Sequence, residues 1–136
     1  MSRIFFYGLF MDAKLLEHMG FHPKLIGSAE LRDFRISIGN RATLIPDPGS
    51  SCYGVVIDLP DEEASALYSK PDLSDYRPEL VSAVLLHDHS IQPSSCYNLP
   101  REKLGAGTNA DYSEKLAALV LELGFPSDYA HEIMRC

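Results

Sequence analysis

The chain has 136 residues, 46% hydrophobic and 23% charged, with 12 basic against 19 acidic side chains and a formal net charge of −7. That size and balance suit one globular domain with its own core and exclude a disordered chain. Lysines and arginines stand singly, so the basic face that nucleic acid requires is not expected.

Three cysteines, Cys52, Cys96 and Cys136, form no paired spacing and read as reduced thiols of a cytoplasmic protein, not a disulfide framework. The first apolar run breaks at Gly8, too soon for a signal peptide. No run of about 18 apolar residues exists to span a membrane.

Residues 4–7, Ile-Phe-Phe-Tyr, predict a buried strand that enters a loop at Gly8. Asp12 is placed to cap a short helix over 13–19, closed by Gly20 and Pro23. Two strands are expected over 25–31 and 34–38, with Gly39-Asn40 turning the second into a strand over 42–45. Residues 46–51, Pro-Asp-Pro-Gly-Ser-Ser, read as a loop. Residues 53–59 give the clearest strand in the chain.

Pro60 followed by Asp61, Glu62 and Glu63 opens a helix to about residue 68, and Pro71 ends it. Residues 69–77 are irregular and acidic. Strands over 80–86 and 91–97 flank a hairpin tip at 87–90. Thr108 to Asp111 has capping character, and Leu116, Leu119, Val120 and Leu123 recur at helical spacing. Gly124 and Pro126 stop that helix, and Ser127 caps a last one over 128–134. Strands first and helices last, without βαβ alternation, predict an α+β fold: a mixed or antiparallel sheet curled into a small barrel with flanking helices.

Four blocks of the chain are similar to the gamma-glutamylcyclotransferase-like family. Tyr7-Gly8-Leu9-Phe10-Met11 resembles the family's Tyr-Gly-Ser/Thr-x-Leu/Met loop, with Leu9 in place of the hydroxyl residue. The segments 31–40, 42–46 with 53–59, and 112–129 resemble its later blocks in order. The resemblance implies one such domain over 1–136 and a substrate held at the first loop by Tyr7, Gly8, Leu9, Phe10 and Met11. Tyr76, like Tyr7, offers an apolar ring with a polar tip suited to a small amphipathic ligand and is a further expected contact. Independently, a glycine turn lets backbone N–H groups approach a carboxylate or a carbonyl oxygen gaining charge.

The family's reaction is an intramolecular aminolysis of a γ-glutamyl amide or amine that releases 5-oxoproline, with one carboxylate moving protons and neither metal nor other cofactor. Counted forward from Leu67, the family's glutamate falls on Pro71; counted back from Tyr76, it falls on Asp72. Asp72 is therefore the expected acid/base, with Asp75 and Glu79 as alternatives. Aspartate is one methylene shorter than glutamate, and a misplacement of about 1 Å can cost about a hundredfold in rate.

Two rival readings accompany this one. The cavity could serve a related amide hydrolase or decarboxylase, or the domain could bind a metabolite or a partner without catalysis. The expected partner is a small molecule carrying a carboxylate or γ-glutamyl group, and a homodimer is left open. In an extended strand His87 and His89 would share a face, but no third metal ligand is placed by the sequence, so a polar hairpin tip is the simpler reading.

Overall fold

The computed structural model describes residues 1–100 and 107–135. Five strands, β1 (Ser2–Phe6), β2 (Lys24–Ile38), β3 (Ala42–Leu59), β4 (Arg77–Leu85) and β5 (Ile91–Asn98), close a barrel in the order β1-β3-β2-β4-β5. All neighbours are antiparallel except β1 and β5, which run parallel with Ile4 opposite Ser95. The mixed sheet curled into a barrel is thus the architecture observed.

The barrel closes because β1 is apolar where it passes between β3 and β5. Ile4, Phe5 and Phe6 are buried together with Val55, Val56 and Ile57 of β3. Cys52 and Cys96 are free and buried; burial pushes both thiols up, which keeps them unreactive. Cys136 lies outside the described residues.

Two expectations about β2 and β3 are corrected. The strands expected over 25–31 and 34–38 are one strand with an irregularity at Asp33, whose φ is +68°. Asp33 tolerates this left-handed conformation, and its Oδ1 accepts the Gly49 N–H at 3.0 Å. The loop expected over 46–51 lies within β3, which runs unbroken from Ala42 to Leu59. Ser51 pairs with Arg32 and Pro46 with Phe34, so residues 47–50 of β3 face Asp33 alone. Proline and glycine are accommodated there because the segment bulges from the ladder.

Helix α1 (Ala13–His18) is capped by Asp12, whose side chain accepts from the Lys14 N–H. Helix α2 (Asp61–Leu67) follows Pro60 with three carboxylates in its first turn, where the helix dipole favours them. Asn109 caps α3 (Ala110–Glu122), and Gly124, at φ +84°, lets the chain turn into α4 (Ser127–Arg135). Leu116, Val120 and Ile133 bury one face of this helical pair. Phe125 and Tyr129 dock it by packing on Tyr53 of β3, with ring centroids 5.5 and 5.2 Å away. Among the described residues, no helix is long and apolar enough to cross a membrane.

Candidate functional site

One end of the barrel carries a cavity of about 370 Å³. Its floor is the end of β1, where the chain leaves the sheet at Tyr7 and turns through a single 3-10 turn, Leu9–Met11, into α1. Met11 N–H donates to Gly8 O and Asp12 N–H to Leu9 O, so these two donors close the turn rather than face a ligand. Leu9 and Phe10 face the cavity, whereas the tight turn rotates Met11 into the core, where it is 2% exposed. The structure thus brings Tyr7, Gly8, Leu9, Phe10, Asp72 and Tyr76 to one cavity and leaves Met11 out of its lining.

Gly8 is required by space and not by backbone torsion. Its φ of −105° is open to any residue, but a Cβ there would sit 2.5 Å from the Tyr112 hydroxyl. Tyr112 opens α3 and reaches across to cover the turn. Burial pushes its phenol up to about 12, opposed by the Leu9 backbone amide. The expected approach of a ligand to Gly8 is therefore made, in part, by a tyrosine of the same chain.

Rings dominate the walls. Tyr68, at the end of α2, stacks flat on Tyr97 of β5 with centroids 3.6 Å apart. Phe6 and Phe10 meet edge to face at 6.1 Å. The Tyr7 hydroxyl donates to Tyr97 O at 2.7 Å and that of Tyr76 to Ala42 O at 2.5 Å. These two phenols are tied to backbone and hold the wall in shape. Burial raises the Tyr7 and Tyr68 phenols well above their ordinary value, so all of them stay neutral near pH 7.

The polar groups gather at the rim. Asp72 is exposed on the turn after α2 and is the one carboxylate among the described lining residues. The alternatives are engaged elsewhere: Asp75 pairs with Arg41 at 3.1 Å, and Glu79 accepts from the Asn98 side chain at 2.6 Å; neither lines the cavity. Arg41 and Asn40 complete the rim.

Sequence reasoning missed Arg41, Tyr68, Tyr97 and Tyr112. Tyr112 had a usable signal, an aromatic residue in the first turn of a capped helix. Arg41 looked like one more isolated charge, and only the β2–β3 turn brings it to the rim.

No protein-family model matches the chain, and no curated protein matches it in sequence. Solved structures do match in shape. One described as a gamma-glutamyl cyclotransferase superposes with a TM-score of 0.78 at 17% identity, covering 97% of this chain and 85% of that one. The chain has the gamma-glutamyl cyclotransferase fold. An uncharacterized protein from Homo sapiens gives a TM-score of 0.80 at 17% identity, over 97% of this chain and 85% of the other. An AIG2-like protein from Mus musculus gives 0.61 at 18%, over 80% and 86%. At such identities the likeness is one of fold, and the chemistry has to be argued from the site.

Proposed function

We infer that the protein binds a γ-glutamyl amide or amine in this cavity and cyclises it to 5-oxoproline, with Asp72 moving the protons. The observation that carries the reading is the open cavity over the Tyr7–Phe10 segment with a single carboxylate, Asp72, among its described lining residues. The α-amino nitrogen attacks the γ-carbonyl carbon and closes the five-membered ring. Asp72 takes a proton from that nitrogen and gives one to the leaving nitrogen as its bond to carbon breaks. Atoms balance without metal or covalent intermediate: one amide enters, and 5-oxoproline and a free amine leave. Buried, unpaired Cys52 and Cys96 support a reducing compartment such as the cytoplasm.

The test is incubation with a panel of γ-glutamyl amides, reading 5-oxoproline by mass spectrometry. Turnover is expected, and Asp72→Asn should lower it by about a hundredfold or more. Turnover that survives Asp72→Asn removes Asp72 from the reaction; no 5-oxoproline from any member removes the reaction itself.

The exposure of Asp72 favours a second reading, in which the domain holds its ligand without converting it. A catalytic carboxylate is commonly buried to tune its proton affinity, and this one stands at the rim. Binding of 5-oxoproline or a γ-glutamyl amide with no product over hours would select that reading.

A further inference from the structure

Two groups of opposite charge stand side by side at the rim, and both remain open to a ligand. Arg41 is the one cation among the described lining residues. Its guanidinium is steadied on two sides: Nη2 donates to Asp75 Oδ2 at 3.1 Å, and the group lies over the Tyr76 ring, 5.8 Å from its centroid. Nη1 reaches only the backbone oxygen of Asp72, at 3.4 Å, near the limit of a hydrogen bond. A guanidinium has five N–H donors in a planar fork, so enough of it is left for a two-point carboxylate contact.

That same contact with its backbone sets Asp72 beside the guanidinium. No described residue donates a hydrogen bond to the Asp72 carboxylate or pairs with it. Asp75 is already matched to Arg41, so among the described residues the rim offers one free cationic edge and one free carboxylate. Behind them the cavity is rings, with Tyr68, Tyr97 and Phe10 among them. An α-amino acid has the complementary form: a carboxylate and an ammonium on one carbon, followed by its side chain.

We propose that Arg41 and Asp72 clamp the zwitterionic head of an α-amino acid whose side chain ends in an apolar group held among the rings, making Arg41 the specificity-determining residue of the site. For the reaction inferred above, on which this rests only for its chemistry, the substrate class is the γ-glutamyl amide of an apolar amine. Holding the α-carboxylate on Arg41 keeps the α-amine against Asp72, the group that takes its proton. Small polar γ-glutamyl peptides would leave the rings uncovered and bind less well.

The test uses a ligand that cannot cyclise. L-homophenylalanine carries the head and an apolar end but no amide. Isothermal titration should show binding to the wild type, weakened about tenfold or more by Arg41→Met, with Arg41→Lys between them because it keeps charge without the fork. 4-Phenylbutyrate, which lacks the ammonium, should depend on Arg41 but not on Asp72→Asn; 3-phenylpropylamine, which lacks the carboxylate, should show the reverse. Melting temperatures near wild type verify that the variants fold, as expected for loss of one partly exposed ion pair.

Equal affinity of wild type and Arg41→Met for homophenylalanine overturns the clamp, as does absence of binding to the wild type. Arg41-dependent binding without 5-oxoproline from any γ-glutamyl amide leaves the clamp standing and removes the reaction. Turnover with an unchanged KM in Arg41→Met does the opposite.

Discussion

At the scale of single residues, the site depends on side chains that arrive from distant parts of the chain. The pair of Gly8 and Tyr112 shows it best. The sequence marks Gly8 as a turn residue whose bareness admits a ligand, yet the atom nearest the missing Cβ is the Tyr112 hydroxyl at 2.5 Å. Gly8→Ala should therefore force Tyr112 off the turn and destabilise the fold by about 1–3 kcal/mol, the usual range for overpacking. Tyr112→Phe removes the obstructing oxygen, so the double variant should recover part of that loss. Urea denaturation of the four proteins in the cycle measures it. Strict additivity of the two substitutions would mean that Tyr112 is not what Gly8 makes room for. Met11 teaches a related lesson. Its membership of a five-residue motif said nothing about the direction of its side chain, which a single 3-10 turn sends into the core.

At the scale of elements, alternation and capping were legible while irregular pairing was not. The apolar runs of β1 and of the second half of β3, the Asp12 and Asn109 caps, and the Gly124 stop all lie where local pattern put them. These signals are local, and each is set by the residues that carry it. What local pattern could not show is that Pro46 to Ser51 belongs to a strand, since its place is fixed by the partner β2 and the Asp33–Gly49 hydrogen bond. The cavity was half legible for the same reason: the β1 turn is read from its own residues, whereas Arg41, Tyr97 and Tyr112 are assembled by barrel closure. Gly54 in β3 gives the element-scale prediction. A Cβ there would run into the Phe6 carbonyl oxygen and lie 2.6 Å from the Phe5 ring. Backbone on one side and a core ring on the other cannot both retreat. Gly54→Ala should therefore pull β1 from β3 and destabilise by about 3 kcal/mol or more. Loss of the cooperative melt, or recovery only from inclusion bodies, is the expected result. A near-wild-type melting temperature would show that β1 can shift at little cost.

At the scale of the whole molecule, closure is held by contacts that tie segments far apart in sequence. Arg3 on β1 makes a two-point contact with Asp58 of β3, at 2.9 and 3.0 Å, and donates to Gln92 of β5 at 2.7 Å. It thereby ties β1 to both of its neighbours, β3 and, across the parallel seam, β5. A second tie joins the segment after α1 to α2: His22 Nδ1 lies 2.7 Å from Glu63 Oε2, and the His22 backbone N–H donates to Oε1 at 2.6 Å. This tie should make stability depend on pH in a definite direction. The carboxylate raises the His22 imidazole above its ordinary 6.5, so that contribution is full below 6.5 and lost as pH rises through the raised value. Hydrogen bonding to His22 lowers Glu63 below its ordinary 4.5, so that contribution is full above 4.5 and lost as pH falls through the lowered value. The two overlap between pH 4.5 and 6.5. His22→Ala keeps the backbone donor and removes only the ring, so its melting temperature should fall furthest below wild type in that window. The two should converge once the pH has risen through the raised imidazole value, where the ring is neutral. The effect should be small and reduced by salt, because the histidine side chain is 81% exposed. A difference between the two proteins that stays constant as pH rises from about 5 into the alkaline range would mean that the ring contributes through packing alone, and the charge would have no part in holding α2 to the barrel.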